Sequence, residues 1–261
     1  MAAESYKSFT LITGASGGLG AEFAQLCAAE GRNLILVARR GDRLKALAKK
    51  LGRDITVHII VQDLAEHGAA QKVYSRVRRL RATVDQLINN AGVGDYGEFS
   101  RTVIARQQQI IDLNITALTQ LTHLFLPDMI KRKHGRILNI GSTASFVPVP
   151  RFSVYAASKS YVLSFSEALS IELKGSGVTV TCLCPGPTKT GFGRTARVDS
   201  RHPLTRTKTS AASVARFGYR AMLAGTVVTV YGRKNRLLVN VLRRFASRAA
   251  TRRRMARYGA S

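Results

Sequence analysis

"FTLITGASGGLGAEFAQLCAAEG", residues 9–31, is the stretch that decides the fold. Its first five residues are β-branched or large and apolar, a glycine cluster follows, and from Leu19 the apolar positions recur at helical spacing. A strand that runs through glycines directly into a helix exposes free N–H groups and the positive end of the helix dipole. The missing side chains let a pyrophosphate approach that backbone. Glycines alone would be a weak signal, and the spacing Gly14, Gly18, Gly20 is not the familiar G-x-G-x-x-G. The strand before and the helix after carry the reading, with Ser16 and Leu19 part of the same loop.

Outward from this unit the alternation continues. "NLILVA" (33–38), "ITVHIIV" (55–61), "VDQLIN" (84–89), "GRILNIGS" (135–142), "VTVTCLC" (178–184) and "GTVVTVYG" (225–232) are strand-like. Between them lie helical patterns such as "GDRLKALAKKLG" (41–52), a long stretch through about Lys133, and the segment after Val154. This rhythm predicts an α/β fold of βαβ units, a doubly wound parallel sheet with helices on both faces. No repeat or linker divides residues 1–232, which read as one domain; residues 233–261 follow as a basic extension. Residues 191–210 lack periodicity and are expected to form a mobile loop over a substrate site.

At 261 residues with 45% hydrophobic composition, the chain can build a large core, which excludes disordered, collagen-like and disulfide-scaffold classes. The N-terminal residues lack a basic head followed by an apolar core, and no apolar run approaches ~18 residues, so a cytoplasmic protein is expected. Cys27, Cys182 and Cys184 read as buried free thiols. The formal charge is +26, and every residue after Asp199 is neutral or basic.

The second strand ends in "LVARR", where a domain preferring NAD would carry an acid for the ribose hydroxyls. Arg39 and Arg40 stand there instead, and guanidinium groups hold a 2′-phosphate through charge-assisted bonds, so NADP(H) is the expected cofactor. In "SVYAASKSYV" (153–162), Tyr155 and Lys159 are four apart and would share one helix face. The five histidines form no i, i+4 pair, so no metal is expected. His202, in the loop, is the one that could reach a substrate.

"TGASGGLG" (13–20), "NNAG" (89–92), "LN" ending at Asn114, Ser142 after "RILNI", "YAASK" (155–159) and "PGPTKT" (185–190) occur in this order. Together the set resembles the short-chain dehydrogenase/reductase family, over Phe9 to at least Tyr231. The resemblance implies a Rossmann-like fold of about seven parallel strands, a nicotinamide cofactor, a small carbonyl or alcohol substrate and a homo-oligomer, dimer or tetramer. It implies a catalytic set of Asn114, Ser142, Tyr155 and Lys159. A tyrosine is a poor acid–base at neutral pH unless tuned, and a nearby ammonium lowers its pKa. Lys159 would do this while also donating to the nicotinamide ribose, as Tyr155 also lines the cofactor site. Ser142 would hold the carbonyl oxygen, and Asn114 a water for proton return. Asn90, Ala91 and Gly92 would line the cofactor cleft, Asp63 would sit near the adenine, and Pro185, Gly186, Thr188 and Thr190 would place the carboxamide. "FVPVPRF" (146–152) suggests an apolar wall.

In the extension, Leu238, Leu242, Phe245 and Ala249 follow helical spacing with arginines filling the remaining surface. Such a helix can lie on an anionic membrane surface, pack on its own domain or pack on a second subunit. Phe245 and Tyr258 are its only aromatics, and without a recognised module no specific nucleic-acid site is expected. A competing reading is a non-catalytic nucleotide-binding scaffold or membrane-surface binding protein that uses its basic C-terminal end to hold an anionic surface; the intact "YAASK", Ser142 and Asn114 argue against it.

Overall fold

The computed structural model describes residues 7–52, 54–199, 209–245 and 247–259. Seven strands form one parallel sheet: β1 (Ser8–Thr13), β2 (Asn33–Ala38), β3 (Val57–Val61), β4 (Thr83–Asn89), β5 (Gly135–Ile140), β6 (Val178–Cys184) and β7 (Val228–Val230), in the order β3-β2-β1-β4-β5-β6-β7. Their near-continuous apolar sequences follow from burial on both faces. Alternate side chains serve opposite layers. Leu11, Ile35, Val37 and Leu87 pack toward α3 (Ala69–Arg79) and α5 (Leu118–Lys131), with Val73, Phe125 and Met129 among the facing residues. Ile12, Leu34, Leu36 and Ile88 pack toward α1 (Gly18–Ala29), α2 (Gly41–Lys50) and α8 (Ala211–Leu223), against Phe23, Leu44 and Met222.

The chain order reverses between β1 and β4, and the crevice at this switch point, beyond the C-terminal strand ends, is where such sheets bind ligands. The long helical stretch before β5 is interrupted: α4 (Ile104–Ile111) passes through a π-helical turn, Asp112–Ala117, before α5. Such turns re-aim side chains locally, and here the turn carries Asn114. Helix α6 (Ser153–Glu172) brings Tyr155 and Lys159, and short α7 (Phe192–Thr195) occupies the start of the expected loop. Residues 200–208 of that loop, with His202, lie outside the described residues.

The extension departs from a single helix. It forms α9 (Arg233–Phe245) and α10 (Arg248–Gly259), because Ser247 starts a new helix: its Oγ accepts from Ala250 N at 3.1 Å and its carbonyl from Thr251 N at 3.0 Å. Ala249, expected on the first helix, therefore falls on the second and is exposed. The side chains of Phe245 and Tyr258 lie outside the described residues. Helix α9 is seated on the domain, with Val239 4% exposed among Leu118, Val162, Cys182 and Val230.

Candidate active site

One cleft of about 850 Å³ runs along the strand ends from Arg43 to Met255. Its first wall is the glycine loop. Gly14 has φ +65°, and a Cβ there would lie 2.9 Å from the Ala91 Cα, so the loop can press against the "NNAG" segment only without a side chain. Asn90 fastens the contact, donating from Nδ2 to the Thr13 carbonyl at 2.8 Å. Helix α1 starts at Gly18 with no side-chain cap, which leaves its first N–H groups directed at the cleft. Ser16, Gly18, Leu19, Asn90, Ala91 and Gly92 all line the cleft. Gly20 does not: it lies beneath the loop, where a Cβ would strike the Gly14 carbonyl oxygen.

Past the end of β2, Arg40 donates to Ser16 Oγ at 3.0 Å, arching over the glycine loop. Arg39 pairs with Asp63 at 3.3 Å, and Asp63 also accepts from Ala65 N at 3.0 Å. Arg43, one turn into the next helix, completes a trio of guanidinium groups at this end of the cleft, a residue the sequence reading overlooked. Their mutual repulsion is visible on Arg40, whose pKa is lowered by partial burial and by Arg43 and Arg39. Such a trio favours an anion between its members.

At the far end, Ser142, Tyr155 and Lys159 meet. Ser142 leaves β5 in an extended conformation and caps the short turn Thr143–Phe146, its Oγ accepting from Ala144 N at 3.1 Å. The Ser145 hydroxyl accepts from Ser142 N at 3.2 Å and donates to the Lys159 carbonyl at 2.7 Å, strapping this strand end to α6. Tyr155 is half-buried, and its pKa is raised by burial to about 12, an effect the nearby Ser142 hydroxyl opposes. Lys159 is only 6% exposed; its Nζ donates to the Ile140 carbonyl at 2.8 Å and lies 5.9 Å from the Tyr155 ring centroid. Burial lowers its pKa to about 8.

Asn114 stands behind this group and is not part of the cleft wall. Its Oδ1 accepts from Val93 N at 2.9 Å, and its Nδ2 donates to the Val93 carbonyl and to Ser158 Oγ. The side-chain amide is thus spent on holding the "NNAG" turn against α6. Gly92 lies between Asn114 and Lys159, where a Cβ would come within 3.4 Å of both Asn114 Oδ1 and Lys159 Nζ. The absent side chain leaves a small polar niche beside the ammonium.

Pro185, Gly186, Thr188 and Thr190 also line the cleft that holds Ser142, Tyr155 and Lys159, with Asn235 of α9 packed on Gly186. Phe146, Val149 and Phe152 form the expected apolar wall. Phe192 of α7 packs on Tyr155 with ring centroids 5.2 Å apart, and Phe152 does so from another side at 5.2 Å. The segment after α7 is clasped down: Arg197 makes two bonds to the buried Asp95, at 2.8 and 2.9 Å, while Gln107 donates to the same carboxylate. Leu238, Leu242, Thr251 and Met255 of the C-terminal helices close the remaining side. The clasp had no sequence signal, since it joins residues far apart in the chain; for this wall the helical spacing of Leu238 and Leu242 marked an apolar face but not the surface it packs on.

A family model described as short chain dehydrogenase matches residues 8–201. Sulfoacetaldehyde reductase 2 of Chromohalobacter salexigens is 39% identical over 184 residues, 70% of this chain and 73% of that protein. Very-long-chain 3-oxoacyl-CoA reductase of Phaeosphaeria nodorum is 37% identical over 184 residues, 67% of this chain and 53% of that protein. A solved short-chain dehydrogenase from Sphingobium yanoikuyae, in complex with NADPH, superposes with a TM-score of 0.81 at 32% identity, covering 91% of this chain and 93% of that one. With the motifs gathered at and directly behind one cleft and the match spanning most of the sequence, the chain belongs to the short-chain dehydrogenase/reductase family of oxidoreductases.

Proposed function

We propose that the protein is an NADP(H)-dependent oxidoreductase that interconverts a ketone or aldehyde with its alcohol, on a substrate with an apolar body. One observation carries the reading: the Tyr155, Ser142 and Lys159 group and the Arg39, Arg40, Arg43 trio occupy opposite ends of a single cleft with a glycine loop between them. The residues fit a dinucleotide. The uncapped start of α1 suits its pyrophosphate, the guanidinium groups a 2′-phosphate, and the related structure from Sphingobium yanoikuyae holds NADPH. The reduced nicotinamide, when bound, supplies the hydride.

The chain's own residues handle the proton. Tyr155, protonated at neutral pH, donates its phenolic proton to the oxygen of the carbonyl as that oxygen gains charge. Ser142 donates to the same oxygen and stabilises the charge where it develops. The Lys159 ammonium stabilises the phenolate that remains. Asn114 positions this group; its side-chain amide is engaged with Val93 and Ser158, and the niche at Gly92 beside the Lys159 ammonium is where proton return is placed. Phe152, Phe192 and the wall from Phe146 to Val149 exclude water and select an apolar substrate.

The test is NADPH against NADH oxidation with aliphatic, aromatic and acyl-type ketones, on the wild type and Tyr155→Phe. Turnover with NADPH is expected, and a loss of roughly 100-fold or more in the variant with NADPH still bound. Binding of neither cofactor would overturn the proposal, and so would a Tyr155→Phe variant as active as wild type.

A further inference from the structure

Helix α9 presents three different faces. Asn235 and Val239 turn inward, one against Gly186 and the other into the core. Leu238 and Leu242 border the cleft. Lys234, Leu237, Val241 and Arg244, at i, i+3, i+7 and i+10, form an outward stripe of two apolar side chains bracketed by cations. Leu237 is 67% exposed and Val241 44%, and Leu238, 42% exposed, joins this stripe to the cleft mouth. Leu238 thus belongs both to the exposed apolar strip and to the lining of the candidate active site.

The charge around the strip has one sign. Residues 233–259 contain ten basic residues and no acidic one, and Arg248, Arg252 and Arg253 of α10 are exposed. The partner must be anionic and must also receive leucine and valine side chains. A second copy of this chain is disfavoured because a two-fold contact would set the same acid-free surfaces against each other. A nucleic acid satisfies the arginines but leaves Leu237 and Val241 in water. An anionic bilayer satisfies both, since apolar side chains enter the headgroup and acyl boundary while Lys and Arg reach the lipid phosphates. Among the described residues no helix is long and apolar enough to cross a membrane, so the contact is peripheral.

We propose that the outward face of α9, with the arginines of α10, docks on an anionic lipid bilayer, and that the cleft receives its carbonyl substrate from that interface. Docking stands independently of the oxidoreductase reading; substrate delivery rests on it. The experiment is flotation of the full-length protein with vesicles of phosphatidylcholine alone and of phosphatidylcholine mixed with phosphatidylglycerol. Wild type is expected to float with the mixed vesicles only. Leu237→Ser/Val241→Ser and Arg252→Ser/Arg253→Ser should each weaken that binding roughly tenfold or more. Flotation with neither vesicle, or equal flotation with both, overturns docking. An apolar variant that binds like wild type reduces the face to a polycation and also overturns it, while binding of an anionic oligonucleotide without vesicle binding assigns the face to nucleic acid.

A second arm tests delivery, comparing NADPH oxidation with a long-chain ketone embedded in mixed vesicles and with a short soluble ketone. The docking variants are expected to lose the first activity and keep the second. Unchanged vesicle activity in those variants overturns delivery. Absence of turnover on both ketones counts against the oxidoreductase reading and leaves the flotation result intact.

Discussion

Buried to 6% exposure and donating to the Ile140 carbonyl, Lys159 holds a charge where burial opposes it. Its pKa of about 8 in the folded protein lies below the ordinary 10.5, so between these values the unfolded chain binds more protons and this group makes stability rise with pH. Below that window the buried ammonium costs on the order of 3 kcal/mol. Lys159→Met should therefore abolish activity yet unfold at a higher urea concentration at neutral pH, with a gain of about 1–2 kcal/mol after losing the Ile140 bond. The gain should fade as pH rises through the window, which urea unfolding at several pH values would read. Tyr155 has the opposite sign: its raised pKa keeps the phenol protonated, so carbonyl reduction should hold through neutral pH and fall in alkali, while alcohol oxidation climbs with pH. Initial rates in both directions check this. The placement of Tyr155 and Lys159 on one helix face and of Gly14 and Gly18 at the cleft was legible in the sequence because it follows from local spacing. The Arg39–Asp63 pair was not, because only the juxtaposition of two strand ends creates it, and Arg43 was not, because it stands among the polar positions of an amphipathic helix start. Arg40→Ala, removing the guanidinium nearest the glycine loop, should weaken NADPH roughly tenfold or more and leave NADH nearly unchanged, measured as two dissociation constants.

The segment that follows α7 depends on a long-range clasp. Asp95 is buried, its two oxygens take Arg197 and Gln107, and the Tyr96 amide donates to the Ala196 carbonyl at 2.9 Å. Arg197 adopts φ +57°, a conformation a non-glycine residue keeps when its surroundings hold it. Asp95→Asn should loosen this segment and Phe192 with it. The expected result is a rise of roughly tenfold in KM for the carbonyl substrate with NADPH affinity little altered, measured by steady-state kinetics and cofactor titration. Uniform loss of both would instead mark Asp95 as a general stability residue. At this scale the strands and their flanking helices were readable from alternation, since both sheet faces demand apolar residues. The break between α9 and α10 was not, because apolar spacing continues across it while Ser247 caps a new start. The π turn at Asp112–Ala117 was hidden for a related reason, as its pattern remains helical.

Across the molecule, the C-terminal helices turn back to complete the cleft, a placement that depends on a surface assembled from β6, β7 and α6. Truncation after Gly232 should expose the neighbours of Val239, lower the Tm by roughly 5–10 °C and raise KM most for bulky ketones, which calorimetry and kinetics would separate. The sheet also divides the thiols. Cys27 lies in the layer with α1 and α8, its pKa pushed by burial to about 12, while Cys182 and Cys184 lie on the opposite side beneath α6. All three are buried and free, so a thiol reagent reaches them when a layer opens and not through intrinsic reactivity. Labelling followed by mass mapping thus gives the chain an internal two-channel clock: the order in which Cys27 and the Cys182/Cys184 pair acquire label records which half of the sandwich breathes first.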